Sequence, residues 1–202
     1  MSQSPMGVNP LRLASGARRG QAGGALADGW VSQLHGEKFN QAVNGRLFFG
    51  ANQTPVTTTV GLATTYVGLC LSNPIASTVN LVLRRVTGLF MVAPAAITAL
   101  SLAIGKHTAN PTHTTPVTPR NGLYGSTATP IGLLDAAATL GAAPIYAQHL
   151  GLAPTPTGQG AIRVDFQGGL ILPPGGFAIF ATNIAGPASG FLGSYEWEES
   201  EI

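Results

Sequence analysis

Four histidines, one cysteine and eight carboxylates are the groups with which this 202-residue chain could do acid–base, nucleophilic or metal chemistry. The histidines are His35, His107, His113 and His149. His107 and His113 stand six residues apart in a Thr/Pro stretch, at neither an HxH nor an HxxxH spacing, with no Cys or carboxylate accompanying them. Zinc needs three or four ligands and an ordered outer shell, so the two read as solvated loop histidines. Cys70, in YVGLCL, reads as a small buried hydrophobe. A reactive thiol wants a base beside it, and no local motif supplies one. A lone cysteine also rules out an intrachain disulfide framework.

Four of the eight acids are bunched in SYEWEESEI at the C-terminus. The remainder, Asp28, Glu37, Asp135 and Asp165, lack the flanking residues of a paired-carboxylate site. There is no Gly-x-Ser-x-Gly elbow and no P-loop, and Gly158-Gln-Gly160 reads as a turn. Catalysis by proton transfer depends on positioned titratable groups. A chain this short of them reads as a structural or binding unit rather than an enzyme, with no catalytic, metal-ligating or cofactor-binding residue expected.

Composition says what kind of body positions these groups. Charged residues make up 9% of the chain, against about 25% in an average soluble domain. The hydrophobic share of 45% excludes a disordered chain. So few charges suggest a surface covered by other copies or other proteins. Residues 1–50 carry a net +3, and the last nine residues hold four Glu and no base. That dipolar layout suits head-to-tail contacts or a basic arm on an acidic partner. It is too sparse for a nucleic-acid face. The first twenty residues have no apolar core after a basic start, so no secretory signal is expected. The uncharged run 86–105 is long enough to span a membrane. Pro94 at its middle and its β-branched, aromatic character favour two buried strands, and no membrane partner is expected.

Residues 1–40 are rich in Gly, Ala, Ser and Gln without a sustained period, and read as an extended arm that orders on a partner. Its Arg12, Arg18 and Arg19 are the candidate docking residues. From 41 to 202 the pattern is short apolar runs between turn residues. Candidate strands are 45–51, 59–71, 79–92 with a bend available at Gly88, 97–104, 143–149, 161–166, 169–172, 177–182 and 191–198. Residues 106–130 form a long Thr/Pro/Gly loop, and 131–144 is the one helical candidate. The expected fold is all-β: a jelly-roll-like two-sheet sandwich with an extended N-terminal arm and a long middle loop insertion. In GFLGSYEWEE, two-residue alternation puts Phe191, Tyr195 and Trp197 on one face, in the core or a subunit interface. Glu196 and Glu198 then face solvent or a basic neighbour, and Glu199 and Glu201 continue a mobile acidic end.

Four blocks occur in order: HGEKFNQAVNGRLFFGAN, TTTVGLATTYVGLCLSNPIASTVNLVLRRVTGLF, VDFQGGLILPPGGFAIFATN and GFLGSYEWEE. This layout resembles the virion structural proteins of tailed bacteriophages, over roughly residues 30–198 with the middle loop unmatched. The resemblance implies a capsid cement or decoration protein that binds the major capsid protein as a homotrimer. It places the chain on the virion, assembled in the host cytoplasm, and implies no catalytic residue and no cofactor. A tail or fibre module binding a host receptor or glycan is the alternative, and a hydrolase with a non-local site is a third.

Overall fold

A computed structural model describes residues 38–58, 60–92, 94, 96–153, 160–183 and 190–202. The compact unit runs from Lys38 to Ile202. One short helix, α1 (Phe39–Val43), precedes twelve strands. These are β1 (Leu47–Ala51), β2 (Thr65–Ser72), β3 (Val79–Phe90), β4 (Thr98–Lys106), β5 (Thr112–His113) and β6 (Pro116–Val117). Then follow β7 (Arg120–Asn121), β8 (Leu133–Thr139), β9 (Ile145–Ala153), β10 (Ile162–Leu172), β11 (Gly176–Thr182) and β12 (Phe191–Glu201).

They form a two-sheet antiparallel sandwich. The first sheet has the order β10-β3-β12-β1-β7, and the second β5-β8-β2-β11-β4-β9 with β6 also on β8. Among the described residues, no two strands consecutive in sequence are hydrogen-bonded neighbours. The apolar run 86–105 shows why: it ends β3 in one sheet, turns through Pro94, and begins β4 in the other. No helix among the described residues is long and apolar enough to cross a membrane.

Between the sheets, Trp197 stacks on Phe48 at 5.9 Å, and Phe180 meets Phe191 and Tyr195 at 5.1 and 5.0 Å. Phe191, Tyr195 and Trp197 are all buried. Gly88 and Gly193 face each other across β3 and β12. A Cβ on Gly88 would lie 2.6 Å from Leu100, and one on Gly193 would lie 3.0 Å from Phe180. The glycine pair makes the room that those side chains fill. A second buried cluster, with Cys70, Ala103, Phe177 and Ile179, packs against Leu62. Strand β11 is buried along its whole length, as its uncharged GFAIFAT suggests.

Three sequence expectations change. The Ala-rich stretch 131–144 contains β8 rather than a helix. Pairing with β2 overrides alanine's helical preference, since Leu134 covers Gly50 and Ala138 lies opposite the buried Tyr66. The irregularity in β3 falls at Arg84–Arg85, not at Gly88: one extra residue there shifts the register against β12 between Glu196 and Trp197. Candidate strands 161–166 and 169–172 are one strand, β10, with a bulge between Asp165 and Leu170. The backbone turns left-handed there at Gln167 (φ 51°) and Gly168 (φ 84°), a conformation glycine adopts without a Cβ penalty.

The edges of both sheets are blunted. β5 and β7 are two residues long, β10 carries its bulge, and the uncharged β9 has two register shifts against β4. Bulges and short edges prevent a free strand from recruiting another chain.

Candidate functional site

Two asparagines and one glutamate fix the frame on which the surface is built. Asn52 follows β1, and its buried amide donates to the Phe191 carbonyl at 3.0 Å and accepts from the Gly193 N–H at 2.6 Å. Asn73 follows β2 and donates to the carbonyls of Val79 and Leu172 at 2.8 and 3.0 Å. Its backbone N–H donates to Gly176 O, and its carbonyl accepts from Gly175. The turn segments SNP and PPGG therefore meet at one residue. Glu199 is buried, not mobile: its carboxylate accepts the N–H groups of Ile131 and Gly132 at 2.9 and 2.8 Å, and the Trp197 indole N–H at 3.4 Å.

Of the two surroundings expected for Glu196 and Glu198, solvent or a basic neighbour, the structure has the second. Glu196 is buried between Lys38 at 2.5 Å and Arg85 at 3.4 Å, and Glu198 pairs with Arg84. Glu201 is exposed but held by Arg46 at 2.8 Å. Two-residue alternation gave the correct face for Glu196 and Glu198, and cross-strand cations cover it.

That face has an ordered row. Asp165 lies opposite Arg85, Arg85 opposite Glu196, Glu196 opposite Phe49, and Phe49 opposite Arg120. Residues directly opposite one another share a sheet face, so one line of side chains crosses all five strands. At about 4.8 Å per strand it spans about 19 Å. Arg85 Nε donates to Asp165 Oδ1 at 2.5 Å, which draws the exposed Asp165 carboxyl below its usual value and raises the Arg85 guanidinium. At the other end Phe49 is 41% exposed, and Arg120 makes no ion pair among the described residues.

Beside Phe49, where β7 stops pairing and β1 continues, a half-open groove of about 750 Å³ runs along the sheet. Its walls carry the hydroxyls of Thr54, Thr87, Thr115, Thr118 and Ser194, with Arg85, Arg120 and Glu196 among the lining groups. Residues Pro116–Thr118 separate it from a second hollow of about 450 Å³, lined by prolines, Leu133, His113 and Asp135.

Of the two histidines expected to be solvated, His113 is exposed and His107 is buried. His113 Nδ1 lies 2.6 Å from Asp135 Oδ2, bringing a carboxylate to the loop that the sequence places 22 residues away. His107 is buried, stacks on Phe177 at 4.5 Å, and accepts the Gly141 N–H on Nδ1. Burial, then repulsion from His113, lowers His107 to about 4. Burial raises the Asp135 carboxyl against the opposing pull of His113. Cys70 lies opposite Asp135 on β2, buried, with its thiol pushed up by burial and by that carboxylate. A nucleophilic cysteine needs the reverse shift and an approach path, so this thiol packs rather than reacts. No group of three or more potential metal ligands occurs among the described residues.

Arg12, Arg18 and Arg19 lie outside the described residues. Of the thirteen charged residues that are described, eleven lie on the first sheet or ion-pair to it; Lys106 and Asp135 are the two on the second. Sequence reading missed Phe49, Arg120 and the His113–Asp135 contact. The doublet Phe48-Phe49 was the available signal for the first: in a strand, one of two adjacent aromatics must face out. Arg120 and His113 are placed by two-residue strands that no periodicity can reveal.

Compared with known proteins, the chain matches no family model, no curated protein and no solved structure.

Proposed function

We propose that this chain is a structural protein of the tailed-bacteriophage virion: a jelly-roll-like capsid cement protein that docks on the major capsid protein as a homotrimer. The observation that carries the reading is the segregation of charge. The second sheet, with seven strands, carries one lysine and one buried carboxylate. Surfaces that are covered by partners are depleted of charge, whereas a free monomer generally needs charge for solubility. The blunted edges point the same way. Copies associate through faces and loops, not by extending a sheet.

The polar side chains also suit a static role. Asn52, Asn73, Glu199 and Tyr66 spend their hydrogen bonds on backbone groups of distant strands. Three of the four blocks that resemble phage structural proteins supply these side chains. The reading is tested by adding purified chain to phage heads assembled without it and sedimenting the mixture. Saturable co-sedimentation at a fixed ratio to capsid protein is expected, with light scattering giving three times 20.6 kDa for the free species. A stable monomer that stays in the supernatant contradicts it.

A further inference from the structure

We propose that the groove beside Phe49 is a carbohydrate-binding site selective for oligosaccharides that carry a carboxylate. The inference is independent of attachment to a phage head.

Three features of the groove define the ligand. First, its walls are dense in hydroxyl groups: Thr54, Thr87, Thr115, Thr118 and Ser194 line one continuous half-open space. A hydroxyl donates one hydrogen bond and accepts two, with a rotor that adapts its direction. Such a lining complements a polyhydroxylated chain, each of whose groups likewise donates and accepts. Ligand sites combine an apolar surface with a few convergent polar groups.

Second, Phe49 supplies the apolar surface. Its neighbour Phe48 is buried against Trp197, yet Phe49 is 41% exposed and is one of the residues that line the groove. It is held there by Glu196 and Arg120 on either side, and by Gly122, where a Cβ would come within 3.3 Å of the ring. A ring fixed in this way offers a flat platform to the C–H face of a sugar.

Third, the charge at the groove is cationic and incompletely used. Glu196 is already bound by Lys38 and Arg85, and Arg85 is shared with Asp165. Arg120 lies next to Phe49 and has no ion-pair partner among the described residues. Guanidinium groups bind carboxylates through two parallel N–H donors. A sugar stacked on Phe49 that carries a carboxylate places it beside Arg120. A groove of about 750 Å³ lies within the range of small-ligand sites, enough for a short oligosaccharide segment.

The test is a glycan array of neutral oligosaccharides and of uronate- and sialate-bearing ones, with poly-glutamate as an acidic peptide control, probed with the full chain. Binding confined to carboxylate-bearing glycans is expected. Phe49→Ala and Arg120→Ala are each expected to weaken it at least tenfold, with unchanged melting temperatures showing that both variants fold. Arg120→Lys is expected to recover only part of the binding, because an ammonium cannot make the paired contact. Absence of binding to every glycan overturns the proposal. So does equal binding to neutral glycans, tighter binding to poly-glutamate, or binding that survives both alanine substitutions.

Discussion

Asn73 and Leu172 are 99 residues apart, and a hydrogen bond of 3.0 Å joins the Asn73 amide to the Leu172 carbonyl. The same amide group reaches Val79 O at 2.8 Å. One side chain thus ties the start of β3 to the end of β10, beside the turn that opens β11. Asn73→Ala removes both bonds, although Val79 O keeps the Ser77 hydroxyl at 3.1 Å, and the loss of such bonds costs about 1–3 kcal/mol each. We expect a drop of about 2–4 kcal/mol by urea denaturation. Asn73→Asp is expected to be worse, because an ionised carboxylate would face two carbonyl oxygens. A variant within half a kcal/mol of wild type would contradict this role.

Trp197 and Glu199 separate packing from hydrogen bonding at one end of the core. Trp197 is fully buried on Phe48, so Trp197→Ala should cost about 3–5 kcal/mol. Glu199→Gln keeps an oxygen where Oε1 accepts the Ile131, Gly132 and Trp197 N–H groups, but removes the charge and puts an amide NH2 where Oε2 accepts the Ile131 N–H at 3.1 Å. A cost of about 1–3 kcal/mol is expected. Thermal melts of the isolated variants decide both. An unchanged melt for Trp197→Ala would show that the ring does not hold the sheets together.

Acid should weaken the fold through His107. With its folded value near 4 against an ordinary 6.5, His107 is protonated in the unfolded chain before it is protonated in the folded one. Its contribution is therefore fully present above pH 6.5, is lost as pH falls toward 4, and levels off below. The full effect is on the order of 3 kcal/mol. Asp135 acts in the opposite direction. Its raised carboxyl means that the folded state takes up a proton first, so its term gains as pH falls from the raised value toward the ordinary one. Melting temperatures of wild type and His107→Gln between pH 7 and 4.5 isolate the histidine term. The wild-type curve should fall more steeply, and parallel curves would contradict the assignment.

Much of the sandwich was legible because strands with one buried face advertise it. Ile162, Val164 and Phe166 alternate with exposed Arg163 and Asp165, and Pro94 marks the passage between sheets. What failed shares a cause: it depended on pairing with distant residues. Alanines 136–138 look helical locally, and only β2 makes them a strand. The irregularity in β3 was expected at Gly88, and only the register against β12 places it at the Arg84–Arg85 doublet. Glu199 looks like part of a solvated tail until the Ile131 and Gly132 amides are placed beside it. The groove was less legible still, since its floor comes from β1, β3 and β12 and its wall from the Thr/Pro stretch between β5 and β7.

Folding should be slow for the chain's size. Because no consecutive strands pair among the described residues, no hairpin of theirs can form first and template the rest, and non-local β pairing folds on the millisecond-to-second scale. Stopped-flow refolding followed by Trp fluorescence should give its main phase in that range or slower. A microsecond main phase would mean that local structure forms independently of the sheets.

On the proposed reading, the chain coats a phage head. Electron microscopy of virions produced with and without this chain tests it most directly. Density for a trimeric sandwich on the outer capsid surface, present with the chain and lost without it while tails are unchanged, is the predicted result. Intact head density with material missing from the tail or its fibres would contradict the claim.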